Sequence, residues 1–221
     1  MSKKPFDSEV AKSICDCGNI AVVIIDDAGR AVDLAHALLD GGVNIMELTL
    51  RTPAALRALE AVAVKVPDMV VGAGTVLSIS QLKDARNAGA AFAVAPGFNR
   101  SVVQSAMDMN FSFAPGVMTP SEIEGAVETG CRILKFFPAS VVGGPQALKT
   151  LTAPYNHLGI KYIPLGGLAP DNTADYLMNP AVAACGGSWI APAKLINESD
   201  WEAIRANASR ATEIVKTVRN S

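Results

Sequence analysis

The sequence predicts an α/β fold, a single (β/α)8 TIM barrel over residues 1–221, from three observations. Eight short apolar runs alternate with stretches of helical periodicity. The runs are apolar throughout, which suits parallel strands covered by helices rather than strands with one wet face. No linker or low-complexity segment divides the 221 residues, a length near the lower end for this architecture. A doubly wound open sheet is the alternative. Against it, no G-x-G-x-x-G follows the first run, where "IIDDAGRAVD" holds a single glycine.

Taken in order, a short helical extension is expected at about residues 1–18. The strands follow as "IAVVII", "NIMELTL", "MVVGAG", "AFAVAP", "FSFAPG", "RILKFFP", "KYIPLGG" and "AVAACGGS". Between the first two, "AVDLAHALLDGG" places Ala31, Leu34, Ala35, Leu38 and Leu39 on one helical stripe, and Gly41 and Gly42 end it. Further helix starts are signalled by the capping-box spacings Ser78/Gln81, Thr119/Glu122 and Ser199/Glu202. Pro53 and Pro120, after Thr52 and Thr119, suit the first helical position.

Composition narrows the function. Half the residues are hydrophobic and the net charge is -2, with no basic cluster, so nucleic acid is not the expected partner. The longest apolar stretches, such as "NIAVVII", fall short of the roughly 20 residues that cross a bilayer. No apolar segment follows the basic residues of "MSKKPFDSEVAK", so no signal peptide is read there and a cytoplasmic, membrane-free location is expected. Cys15, Cys17, Cys131 and Cys185, with only His36 and His157 beside them, form neither a disulfide framework nor a zinc pattern. They read as free thiols, and no metal is expected.

Polar residues then stand out on apolar strands. Side chains alternate faces along a strand. In "NIMELTLRT", Ile45, Glu47, Thr49 and Arg51 share one face, while Met46, Leu48 and Leu50 share the other, which should meet the helices. In "RILKFFP", Leu134 and Phe136 pack outward, so Lys135 points inward with Ile133 and Phe137. Thr75 closes the third strand. A buried Glu–Lys pair can serve packing alone. Yet all four residues lie at or near the C-terminal strand ends, where barrel enzymes place their chemistry.

Glycines make a second cluster, "PLGGLAP" after the seventh strand and "CGGSW" after the eighth. Glycine there can simply turn the chain. With pairs at both places, the backbone N–H groups of Gly166, Gly167, Gly186, Gly187 and Ser188 are candidates to bind a phosphate. Burial disfavours the charged form of an amine and leaves a neutral nucleophile, which condenses with a ketone to a Schiff base. Glu47 is placed to move protons and Arg51 to hold a carboxylate bidentately. The implied ligand is a phosphorylated 2-keto acid.

"GGVNIMELTLRT", "VGAGTV", "APG", "ILKFFPA", "GGLAPDN" and "GGSW" occur in order along nearly the whole chain. In these motifs the sequence resembles the bacterial 2-keto-3-deoxy-6-phosphogluconate (KDPG) aldolases, also described as acting on 4-hydroxy-2-oxoglutarate (KHG). The resemblance implies a class I aldolase of the Entner–Doudoroff pathway, a homotrimer of barrels without metal or cofactor, releasing pyruvate. It implies Lys135 as the Schiff-base lysine and Glu47 as the proton carrier. Arg51 and Thr75 would hold the pyruvate moiety, Pro96 would line the same pocket, and Gly166, Gly167, Gly187 and Ser188 would bind phosphate. The family's gluconate enzymes carry threonine just before the G-G pair; this chain has Leu165, and the related 6-phosphogalactonate aldolases have an apolar residue there, which opens the preference at C4. Two other readings stay open: a non-catalytic barrel that binds sugar phosphates, and pyridoxal phosphate on Lys135.

Overall fold

The computed structural model describes residues 6–220. The first five residues of the expected N-terminal extension, and with them the start of the segment read for a signal peptide, lie outside that range. Within it the strands are β1 (Asn19–Val23), β2 (Ile45–Thr49), β3 (Val70–Gly74), β4 (Phe92–Val94), β5 (Ser112–Ala114), β6 (Gly116–Val117), β7 (Ile133–Phe136), β8 (Lys161–Pro164) and β9 (Cys185–Gly187). The helices are α1 (Ser8–Cys17), α2 (Ala31–Asp40), α3 (Ala55–Lys65), α4 (Ile79–Asn87), α5 (Arg100–Asp108), α6 (Pro120–Glu128), α7 (Gly144–Thr152), α8 (Thr173–Leu177), α9 (Ala193–Glu198) and α10 (Trp201–Arg219).

The fold is α/β with parallel ladders between its strands. One curled sheet has the order β5-β4-β3-β2-β1-β9 and a second has β6-β7-β8. Each of the eight apolar runs contains a strand, and the fifth run is divided into β5 and β6 at Pro115. Proline has no N–H to donate to a ladder, but its carbonyl still accepts from the Lys135 N–H at 2.9 Å. Parallel bridges Tyr162↔Val182 and Leu165↔Gly186 join the region of β8 to that of β9.

Strand parity sorts the buried side chains into two clusters. Met46, Leu48, Leu134 and Phe136 pack in the layer shared with the helices. Ile45, Phe92, Val94, Ile133, Ile163 and Leu165, drawn from both sheets, form a second cluster with Ile14 of α1. Asp7 caps α1, accepting from the N–H groups of Glu9 and Val10, and its own N–H donates to Ser112 Oγ of β5 at 2.9 Å. Helix α1 thus closes off the N-terminal ends of the strands and leaves their C-terminal ends open.

Local signals held in most places and failed in two. Thr119 forms a full capping box with Glu122, with Pro120 at the first helical position. Ser78 accepts from the Gln81 N–H, and the Gln81 side chain reaches past it to the Leu77 N–H. Ser199, by contrast, ends α9 in the left-handed region at φ 56°, and its neighbour Asp200 caps α10 by accepting from the Ala203 N–H. Pro53 precedes α3 by two residues, and the Thr52 hydroxyl donates to the Ile25 carbonyl instead of capping a helix.

Candidate active site

The C-terminal strand ends surround a cavity of about 270 Å³. Every residue singled out above lines it: Glu47, Arg51, Thr75, Pro96, Lys135, Leu165, Gly166, Gly167, Gly186, Gly187 and Ser188. These come from six of the eight apolar runs or the loops after them. Thr49, Phe137 and Leu168 also line the cavity. Thr49 and Phe137 share the inward parity of Glu47 and Lys135, the sequence signal by which they could have been found.

At the floor, the Lys135 ammonium lies 3.1 Å from Glu47 Oε1 and 3.5 Å from Oε2. The side chains are 7% and 1% exposed, so the pair is shielded from bulk water. The Phe137 ring adds a cation–π contact, with its centroid 5.5 Å from Nζ. The Thr49 hydroxyl donates to the Val23 carbonyl at 2.9 Å and ties β2 to β1 beside the pair.

Polarity changes toward the rim. Arg51 is exposed there, and among the described residues its guanidinium has no ion-pair partner. Thr75, just beyond β3, has φ 60°. A β-branched residue in the left-handed region is uncommon, and such strain concentrates at functional sites. Gly166 and Gly167 turn the chain after β8 with φ 92° and 78°, conformations that glycine takes without steric penalty. Gly186 serves close approach, since a Cβ there would come 2.5 Å from Leu165 Cγ.

Among the described residues no group of three or more His, Cys, Asp or Glu side chains could hold a metal ion. No helix among them is long and apolar enough to cross a membrane. Cys131 and Cys185 are buried, Cys15 and Cys17 partly so, and all four thiols are free.

A lysine paired with a carboxylate in a shielded pocket, beneath an exposed arginine and glycine turns, is the equipment of an imine-forming carbon–carbon lyase. The family model for KDPG and KHG aldolase matches residues 11–207. The chain belongs to that family. A 2-dehydro-3-deoxy-phosphogluconate aldolase of Treponema pallidum is 40% identical over 89% of this chain and 92% of its own. The structure of the 2-keto-3-deoxy-6-phosphogluconate aldolase of Zymomonas mobilis ZM4 with 3-phosphoglycerate superposes with a TM-score of 0.87. It is 34% identical, covering 93% of this chain and 96% of that one. The KDPG aldolase of Legionella pneumophila, with pyruvate captured as a covalent carbinolamine, also gives 0.87 at 35% identity over 91% and 97% of the two chains.

Proposed function

We propose that this protein is a class I aldolase that cleaves 2-keto-3-deoxy-6-phosphogluconate to pyruvate and glyceraldehyde 3-phosphate, with 4-hydroxy-2-oxoglutarate as a further substrate. The observation that carries the reading is the buried contact of Lys135 with Glu47 in the cavity that also gathers Arg51 and the glycine turns. The Lys135 amine adds to C2 of the keto acid, and loss of water gives the protonated imine. With Glu47 assisting, the C4 hydroxyl loses its proton and the C3–C4 bond breaks. Its electron pair passes into the imine, which becomes an enamine, and glyceraldehyde 3-phosphate leaves. Glu47 returns a proton to C3, and water hydrolyses the imine to pyruvate and free lysine.

In this reading Arg51 and Thr75 hold the carboxylate, and Pro96 and Leu165 line the path of the chain. Gly166, Gly167, Gly187 and Ser188 present N–H groups to the phosphate, with Gly186 beneath Leu165. The amine and carboxylate supply the chemistry without a cofactor. Relatives named for the phosphogluconate substrate support that epimer over the phosphogalactonate one. The covalent pyruvate adduct of the Legionella relative supports turnover rather than binding alone. We read residues 1–221 as one domain, its two sheets as a closed (β/α)8 barrel joined through Pro115 and the bridges to β9, and the working form as a cytoplasmic homotrimer of the Entner–Doudoroff pathway.

The test is borohydride reduction in the presence of pyruvate, followed by intact-mass measurement and peptide mapping. One pyruvate-derived adduct on Lys135, absent in Lys135→Ala, is the expected result. No adduct, or an adduct on another lysine, overturns the assignment, and a visible absorbance band from the purified protein would favour pyridoxal phosphate instead.

A further inference from the structure

Gly74, the last residue of β3, pairs with Thr49 in the ladder to β2. Its backbone is ordinary: Gly74 is not among the residues with positive φ, so any L-residue could adopt its conformation. The three atoms nearest to a Cβ placed there all belong to one neighbour. A Cβ added at Gly74 would lie 2.0 Å from Glu47 Oε1 and 2.7 Å from both its Cδ and Cγ. The Glu47 side chain therefore lies directly across the bare α-carbon of Gly74.

Glu47 has few other constraints. Among the described residues the only hydrogen-bond partner of its carboxylate is Lys135 Nζ. The carboxylate is thus held between the ammonium on one side and the backbone of β3 on the other. In the enamine formed on Lys135, C3 is two bonds from Nζ and so about 2.5 Å away by ordinary bond lengths. A carboxylate 3.1 Å from Nζ is within reach of that carbon. Clearing a methyl group at position 74 would require Oε1 to move by about 1 Å, a displacement that can cost about 10²-fold in rate.

We propose that Gly74 is a positioning residue for the proton carrier: its missing side chain makes the slot that sets the Glu47 carboxylate over the reacting carbon. The kinetic part of this inference rests on the aldolase reading above, whereas the steric part stands on geometry alone. The chemistry predicts a separation of steps. Imine formation at Lys135 needs the amine, but protonation and deprotonation of C3 need the carboxylate in place.

The experiment compares Gly74→Ala with wild type in three measurements. Borohydride trapping of pyruvate on Lys135 should stay within about threefold of wild type, while exchange of pyruvate methyl protons with deuterium falls about 10²-fold. Thermal unfolding is then measured for Gly74→Ala in the wild-type and Glu47→Ala backgrounds. The methyl group should lower Tm in the first and have little effect in the second, where its nearest obstacle is gone. Failure of Gly74→Ala alone to fold, with Gly74→Ala/Glu47→Ala folding normally, supports the same slot. Wild-type exchange in Gly74→Ala overturns the inference, as does a parallel loss of trapping and exchange, or an equal loss of stability in both backgrounds. Absence of trapping in wild type would sink the aldolase reading, and the stability comparison would still decide the slot.

Discussion

Replacing Lys135 by methionine tests why a charge lies inside this protein at all. The substitution keeps most of the side-chain volume and leaves Glu47, with its side chain 1% exposed, without its ion-pair partner. Breaking a buried pair from one side costs about 3–5 kcal/mol. Here the pair forms the floor of a cavity open at its rim, which lets solvent relieve part of the penalty, so the lower end, about 3 kcal/mol, is expected. At about 2–4 °C per kcal/mol for a chain of this size, Tm should fall by roughly 6–12 °C. Adding Glu47→Leu removes the stranded carboxylate, and the double variant should recover to wild-type stability or exceed it, with no aldolase activity. Urea and thermal unfolding followed by circular dichroism, at neutral pH, measure all three proteins. If the double variant is less stable than Lys135→Met alone, the pair stabilises the fold in its own right. Packing would then suffice to explain the buried lysine.

Three further outcomes are expected. Leu165 is buried in the wall of the cavity and offers no hydrogen bond, so the enzyme should accept both C4 epimers. Leu165→Thr should then raise the gluconate-to-galactonate ratio of kcat/KM about 10-fold, near 1.4 kcal/mol, and an unchanged ratio refutes the assignment. The Tyr162 hydroxyl is buried without a hydrogen-bond partner among the described residues, and burial pushes its pKa up. Tyr162→Phe should therefore stabilise the protein by about 1 kcal/mol, and a lowered Tm would show an overlooked partner. Burial raises the thiol pKa of all four cysteines, so access rather than ionisation sets their order of reaction, and Cys131 and Cys185 are the buried pair. Alkylation of the native protein should begin at the half-buried Cys15 and Cys17, and mass spectrometry finding rapid modification of Cys185 would contradict its placement.

The strand parity of two short stretches located the buried Lys135–Glu47 pair, because a one-residue shift exchanges the faces of a strand. Met46 and Leu48 could not both meet the helices unless Glu47 turned inward, and Leu134 and Phe136 impose the same on Lys135. Cap signals proved less reliable because they depend on where the preceding element stops. Ser199 has the spacing of a cap, but α9 ends there, so the role passes to Asp200. The slot at Gly74 could not be read in the same way. A glycine within "VGAG" signals close approach of something, but only the register between β2 and β3 brings Glu47 across it. Likewise, the φ of 60° at Thr75 contradicts the preference of a β-branched residue. Local propensity therefore argues against what the tertiary structure imposes.

The graded exposure of the site also orders the ligand along it. Glu47 and Lys135 compensate each other's charge at the buried end, so the floor presents no net charge to attract an anion. The cation left to do so is Arg51, exposed near the rim and without an ion-pair partner among the described residues, with the glycine turns and exposed Ser188 across the mouth. The proposed ligand, charged at both ends, would therefore gain its attraction at the mouth, and its uncharged ketone would be the part that descends to the amine. In the proposed reaction, position rather than affinity would have to make the amine react, and the strand supplies it. Leu134 and Phe136 are both fully buried on the opposite face, and the Lys135 N–H is bonded to Pro115 at 2.9 Å. A backbone held on both sides of the residue gives the lysine a fixed origin, so the flexibility left in the site is that of one side chain clasped by one carboxylate. That clasp must open for the imine to form. The proposed chemistry therefore calls for a carboxylate held by shape as well as by charge: it would have to stay in place when the amine it bonds becomes part of the substrate.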